Sequence, residues 1–319
     1  MARGNPSADA AWRPGARYMA GIPECRRDLN APQCGVHEVC MVYSPFFVTG
    51  VPKSGTTWLG RLLDSHPEIS CKGEACMHAF IKSLIGISNE YNALLQGRGE
   101  TFSDSNEFPT LKEAEVYEMG RYFIELRLKS IADTGKPGLK LVGEKDPYHV
   151  VNFPVLHKMF PEAKVIHIIR DGRGVVVSAW HHNLRITTQN VQAAGFDKFM
   201  DEAAGQWGAM HRRSRETAHI LGERYLEVRY EDLLADPLPH LKRVLDHLGA
   251  DSDAEVVRAC IDAASFEKLS RGRSQGQEDS KSFFRKGIAD DWKTQMTPAQ
   301  IQRFDARSGG MLGELGYLG

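Results

Sequence analysis

A chain of 319 residues, 42% hydrophobic and 25% charged, carries enough apolar material for one large α/β domain or two small ones. Its formal net charge of −1 gives no global reason to expect nucleic acid or an anionic membrane as a partner. No apolar run approaches the ~20 residues of a membrane span and the N-terminus lacks an apolar signal core, so the expectation is a cytoplasmic protein with no membrane span.

Residues 1–40, rich in proline, glycine and arginine, read as a partly irregular N-terminal arm, and 41–319 as a single domain. The six cysteines include no C-x-x-C pair and read as reduced thiols, with a bridge among Cys25, Cys34 and Cys40 left open. Strands are expected at Phe46–Thr49, Ile69–Cys71, Leu139–Val142, Val165–Ile169 and Leu226–Arg229. Helices are expected at 55–66, 149–160, 173–183, 196–221, 237–248 and 253–263. Ile87–Pro109 and Arg271–Phe284 read as polar loops. The alternation predicts an α/β fold: a P-loop-type, mostly parallel central sheet with helices on both faces. In such sheets ligands bind outside the C-terminal strand ends.

The loop after the first strand, Gly50-Val-Pro-Lys-Ser-Gly-Thr-Thr57, packs a cation, three hydroxyls and two glycines into eight positions, which suits a tetrahedral dianion at a helix N-terminus. The ATP-binding loop carries its lysine after the second glycine. Here Lys53 comes before Gly55. After the fourth expected strand, Arg170 and Asp171 leave the strand end and Ser178 follows on the next helix. Together they read either as a second phosphate site or as a surface ion pair with an ordinary helix behind it. Arg285, Lys286 and Gly287 read by themselves as a solvated loop.

In combination these stretches resemble the sulfotransferases that use 3′-phosphoadenosine 5′-phosphosulfate (PAPS) and release 3′-phosphoadenosine 5′-phosphate (PAP). "PKSGTTW" resembles that family's 5′-phosphosulfate loop, "IIRDGRGVVVSAWHH" its 3′-phosphate segment, "RYEDLLADP" its tyrosine-bearing segment and "FRKGIADDWK" the C-terminal stretch of its cytosolic branch. The resemblance implies a metal-free transfer in which Lys53 meets the charge left on the departing phosphate oxygen. It implies that Ser54, Gly55, Thr56 and Thr57 hold the 5′-phosphate, and that Arg170, Ser178, Arg285, Lys286 and Gly287 hold the 3′-phosphate. Trp58, Tyr230 and Phe266 match positions around the adenine, with Ser265 beside them, although Trp58 and Phe266 alone would read as core.

The cytosolic branch takes the acceptor's proton with a histidine in a K-T-H-L-P stretch. The matching "GEKDPYH" keeps the lysine as Lys145 and has Pro147 in place of the histidine. "HPEISCKGEAC" resembles the base region of the tyrosylprotein branch, and Glu74 falls at the spacing of that branch's catalytic glutamate. A solvent-facing carboxylate is the ordinary alternative. His149 stands in reserve, an i+4 helical step from Lys145. The implied acceptor is a small hydroxyl (or amine) compound. Proline at position 298 departs from the cytosolic dimer motif, so no dimer of that kind is expected and the oligomeric state stays open. The rival function is a kinase-like P-loop phosphotransferase, with Asp171 as the strand-end acid for magnesium.

Overall fold

The computed structural model describes residues 43–102, 108–132, 135–186 and 190–318. The arm 1–40, with Cys25, Cys34 and Cys40, lies outside them.

The chain builds β1 (Ser44–Thr49), α1 (Thr56–Asp64), β2 (Ile69–Lys72), α2 (Met77–Phe102), α3 (Glu113–Ala132) and β3 (Leu141–Lys145). A 3-10 turn over Pro147–Val151 leads to α4 (Phe153–Met159), β4 (Lys164–Ile169), α5 (Gly172–Ile186) and α6 (Asn190–Thr217), the last interrupted at Gly195. Then come β5 (Tyr225–Arg229), α7 (Tyr230–Ala235), α8 (Pro237–Leu248), α9 (Ala254–Ala263), α10 (Phe266–Leu269), α11 (Trp292–Gln295), α12 (Pro298–Ser308) and α13 (Met311–Glu314).

The strands pair in the order β2-β3-β1-β4-β5, every pairing parallel, so the expected parallel α/β sheet is the one formed. Strand alternation divides the core between the two faces. Phe46 and Val48 of β1 pack with Leu59, Leu62, Ile168, Leu241 and Val244 beneath α1 and α8. Phe47 packs on the other face with Ile124, Leu128, Phe153 and Met159 beneath α3 and α4. The C-terminal ends of β1, β3, β4 and β5 hand the chain to the loops that matter for function.

Three expectations need correction. Ile87–Pro109 is not a loop over most of its length, because α2 continues to Phe102. Its buried residues are only Met77, Ile81, Ser88 and Gly99, while Ile87, Tyr91 and Leu94, at i, i+4 and i+7, form a stripe on the exposed side among polar residues and glycines. The Asn92 side chain pins the helix by donating to the Leu111 carbonyl (2.9 Å) and accepting from the Leu111 N–H (2.7 Å). Second, α3 was not expected, although Val116, Gly120, Ile124 and Leu128 recur every four residues on its buried side. Third, β3 runs to Lys145, later than the expected Leu139–Val142, which places Glu144 and Lys145 inside a strand.

Near the C-terminus, Pro298 sits in the first turn of α12, where the Thr297–Gln300 capping box closes the helix start. This helix crosses α6 at close range. A methyl group on Gly208 would run into the Ser308 backbone, which has no rotamer with which to yield. Gly208→Ala should therefore destabilise the protein by about 1–3 kcal/mol, the range for overpacking a tight contact, as read from urea unfolding.

Candidate functional site

The loop between β1 and α1 is held from beneath. The Ser54 N–H donates to the Val51 carbonyl at 3.0 Å, and Leu59 N–H begins the helix on the Gly55 carbonyl at 3.0 Å. Gly55 takes φ 102° directly against the Tyr230 ring, so any side chain there would be both strained and obstructed. Lys53 also takes a positive φ of 75°. Ser54 Oγ is fully buried with no hydrogen-bond partner among the described residues.

This loop forms one wall of a cleft of about 690 Å³. Lys53, Gly55, Thr56, Thr57 and Trp58 line it, together with Arg170, Ser178, Tyr230, Phe266, Arg285, Lys286 and Gly287. The stretches that were far apart in sequence thus meet around one space. Arg170 connects them. It donates to the Lys53 carbonyl at 3.1 Å and the Ile288 carbonyl at 3.3 Å, with its guanidinium 4.3 Å from the Tyr230 ring centroid. Trp58 is fixed by donating from Nε1 to the Ala264 carbonyl at 3.1 Å and lies edge-on to Tyr230. Ser265 precedes α10 and is not among the lining residues, unlike its neighbour Phe266.

Two ends of the cleft differ in electrostatics. Arg285 and Lys286 both pair with Asp291, and Arg285 also pairs with Glu278 at 2.8 Å. Burial pushes the Asp291 carboxyl up, but the hydrogen bonds from Arg285 and Lys286 outweigh it and hold it below its ordinary range. Lys53 makes no ion pair among the described residues and sits 4.6 Å above the Phe283 ring. Desolvation, reinforced by Arg185 and Arg170, lowers its amine from 10.5 to about 8. A dianion in the cleft would oppose the shift by favouring the charged amine.

Glu74 lines the same cleft. Its Oε1 accepts from the Lys145 amine, which also reaches Thr57 Oγ1 at 3.3 Å, and its Oε2 takes no hydrogen bond among the described residues. Lys145 is itself nearly buried, with its side chain 7% exposed against 47% for Glu74. His149 is not brought to the cleft. It is fully buried, with Nε2 2.7 Å from Glu144 Oε2 and its ring edge-on to Phe47. The expected i+4 helical step does not exist, because Lys145 ends a strand and the residues after it form a 3-10 turn. Asp171 is likewise unavailable for magnesium. Its carboxylate is taken by the Arg173 guanidinium at 2.7–3.2 Å, and it does not line the cleft.

Sequence reasoning missed Tyr148, Phe199, Phe283 and Phe284 on the cleft wall. Two adjacent phenylalanines in an otherwise polar loop were the available signal for the last two. His182 also lines the cleft. Burial, then the charges of Lys53 and Arg185, lower its imidazole below the usual range.

A family model described as the sulfotransferase family matches residues 45–254. A flavonol 3-sulfotransferase of Flaveria bidentis is 29% identical over 192 residues, covering 51% of this chain and 61% of that protein. A protein-tyrosine sulfotransferase of Drosophila melanogaster is 28% identical over 209 residues, covering 63% of this chain and 37% of that one. The matches thus span less than two thirds of either relative. The structure of a mouse sulfotransferase, SULT7A1, complexed with PAP shares the fold, with a TM-score of 0.52 and 20% identity over 84% of this chain and 82% of that one.

The low Lys53 value has a measurable consequence. The unfolded chain holds this proton up to about 10.5 and the folded chain only to about 8, so the charged amine costs stability below pH 8, and the cost fades as pH rises toward 10.5. Lys53→Met should raise the melting temperature of the ligand-free protein at pH 7, with the gain shrinking between pH 8 and 10.

Proposed function

This chain belongs to the sulfotransferase family, and on that premise we propose that it transfers a sulfuryl group from PAPS to a hydroxyl or amine acceptor. The observation that carries the reading is the convergence on one cleft of two cationic groups and a carboxylate. Lys53 and its loop form one group, Arg170 with Arg285 and Lys286 the second, and Glu74 is the carboxylate. The Lys53 amine, which makes no ion pair among the described residues, suits a bound phosphate, while Ser54 of the same loop is fully buried and not among the residues lining the cleft.

In this reading PAPS supplies the activated sulfuryl group, and the chain does the rest. The loop N–H groups with Ser54, Thr56 and Thr57 hold the 5′-phosphate, while Arg170, Ser178, Arg285, Lys286 and Gly287 hold the 3′-phosphate. Trp58, Tyr230 and Phe266 flank the base. Ser265 contributes less directly, from the start of the short helix that carries Phe266. Lys53 meets the negative charge that develops on the departing phosphate oxygen. Glu74 takes the proton of the acceptor through its uncommitted oxygen, and Lys145 fixes the carboxylate by holding the other. The acceptor is a small hydroxyl compound with an apolar body, on the support of Tyr148, Phe199, Ala203 and Phe283 in the cleft wall. Incubation of cell-extract metabolites with the protein and PAPS tests this: products heavier by one sulfuryl group are expected, and transfer should persist in EDTA.

Two further outcomes are expected. PAP should raise the melting temperature far more than ATP, because ATP cannot fill the Arg170, Arg285 and Lys286 site and charge-assisted contacts are worth about 1.5–3 kcal/mol each. Equal shifts would refute the two-phosphate reading. Glu74→Gln should bind PAP as the wild type does yet lose roughly 10²- to 10⁴-fold in turnover, because the amide cannot take the proton.

A further inference from the structure

Glu144 is a carboxylate with no exposed surface in the middle of a parallel sheet, beside the fully buried His149. Burial of a charge is unfavourable unless several donors compensate it, and an apolar residue would serve the sheet better. The donors are specific. Glu144 Oε1 accepts from the backbone N–H of Ala75 at 3.2 Å and of Met77 at 3.4 Å. Oε2 lies 2.7 Å from His149 Nε2. Nδ1 of the same ring is buried with no hydrogen-bond partner among the described residues.

Ala75 and Met77 flank Cys76, a non-glycine residue at φ 52°. That conformation costs about 1–2 kcal/mol for an L residue and persists only where its surroundings impose it. Ala75 directly follows Glu74, and Lys145, which grips the Glu74 carboxylate, directly follows Glu144 on β3. Adjacent strand residues point to opposite faces. One dipeptide of β3 thus holds the Glu74 segment twice, by its backbone through Glu144 and by its side chain through Lys145. A cation-binding role for the same cluster is less consistent with the geometry. Glu144, Asp146 and His149 bring ligand atoms within 4.8 Å of one another, but the carboxylate oxygens already accept from Ala75, Met77, His149, Tyr148 and His78.

We propose that Glu144, oriented by His149, is the positioning residue that holds Glu74 at the cleft. The inference rests on the reading of Glu74 as the base. It predicts a loss confined to turnover, because a group misplaced by about 1 Å costs on the order of 10²-fold in rate.

The test compares Glu144→Leu, Glu144→Asp and Glu144→Gln. Leucine removes the acceptor, aspartate loses reach, and glutamine keeps an acceptor oxygen for the Ala75 and Met77 N–H groups while its amide N–H donates to His149 Nε2, the ring proton then lying on Nδ1. Leucine should lower kcat about 10- to 100-fold with PAP affinity and the KM for PAPS unchanged. Aspartate should be impaired in the same way, and glutamine should retain most of the activity. Amide exchange at Ala75 and Met77 should accelerate in the leucine and aspartate variants, which is read without any turnover. In the Glu74→Gln background, Glu144→Leu should cause no further loss. Wild-type kcat in the leucine or aspartate variant, multiplicative losses in the double variant, or unchanged exchange would overturn the proposal. If Glu144→Leu does not fold, Glu144→Asp against Glu144→Gln decides by the same criteria. Wild-type turnover in Glu74→Gln would instead refute the base assignment, and the exchange data would still report whether Glu144 holds the loop.

Discussion

The contacts of Arg170 organise the cleft. Its guanidinium donates to carbonyls from two loops distant in sequence, those of Lys53 and Ile288, while stacking over Tyr230. A planar group with five donors can bridge two backbones and still present a face to an aromatic ring, which a lysine amine cannot do. The phosphate loop, the C-terminal Arg-Lys-Gly stretch and the aromatic wall are therefore positioned by one side chain at the end of β4. With Nε buried and unpartnered among the described residues, donor capacity also remains.

Around that bridge the charge is balanced unevenly. Arg285 and Lys286 share the nearly buried Asp291, so their end of the cleft is compensated before any ligand arrives. Lys53 lies against the Phe283 ring, and burial, then the charges of Arg185 and Arg170, outweigh the opposing Glu74, so its amine gives up its proton more readily. A compensated end supports binding, since Asp291 keeps the two cations in place. An uncompensated amine supports chemistry, since its attraction for an anion is greatest where negative charge develops. The division matches the separate roles proposed for the two groups.

How much of this could be read from the chain depended on what each residue's signal rests on. Strands β1 and β4 and the phosphate loop were legible because those buried parallel strands are near-continuous apolar runs and the loop is fixed by glycines and short polar residues, whereas β3 was placed too early because its last residues, Gly143, Glu144 and Lys145, are not apolar. The outer part of α2 was not legible although Ile87, Tyr91 and Leu94 recur at i, i+4 and i+7, because the stripe faces outward and is interleaved with Ser88, Asn89, Glu90, Gly97 and Gly99, which read as loop. His149 was misplaced for a definite reason: a helical step was assumed across Lys145, which belongs to a strand, so the ring turns into the core. Glu144 gave no signal at all. A glutamate near the end of a strand looks the same in sequence whether it faces water or two backbone N–H groups and a buried histidine.

Backbone strain draws the separate parts together. Among the described residues, the non-glycine positions with positive φ are Lys53, Cys76 and Arg271. Lys53 lies in the phosphate loop, Cys76 two residues after Glu74, and Arg271 at the start of the segment that carries Phe283 and Phe284 to the cleft wall. Each is held from nearby. Arg170 takes the Lys53 carbonyl, and Glu144 takes the N–H groups on either side of Cys76. Arg273 fastens the third segment by donating to the carbonyls of Gln277 (3.0 Å) and Arg285 (2.8 Å). Strain of this kind costs about 1–3 kcal/mol per residue and survives only where surrounding bonds over-determine it. All three strained residues lie in loops that border one cleft, and in each loop a charged side chain binds backbone groups: beside Lys53 and Cys76 in the first two, and further along the segment, at Gln277 and Arg285, in the third. This argues that the loops are held in preset positions, and it gives buried Glu144 the same kind of role as the better exposed Arg170 and Arg273.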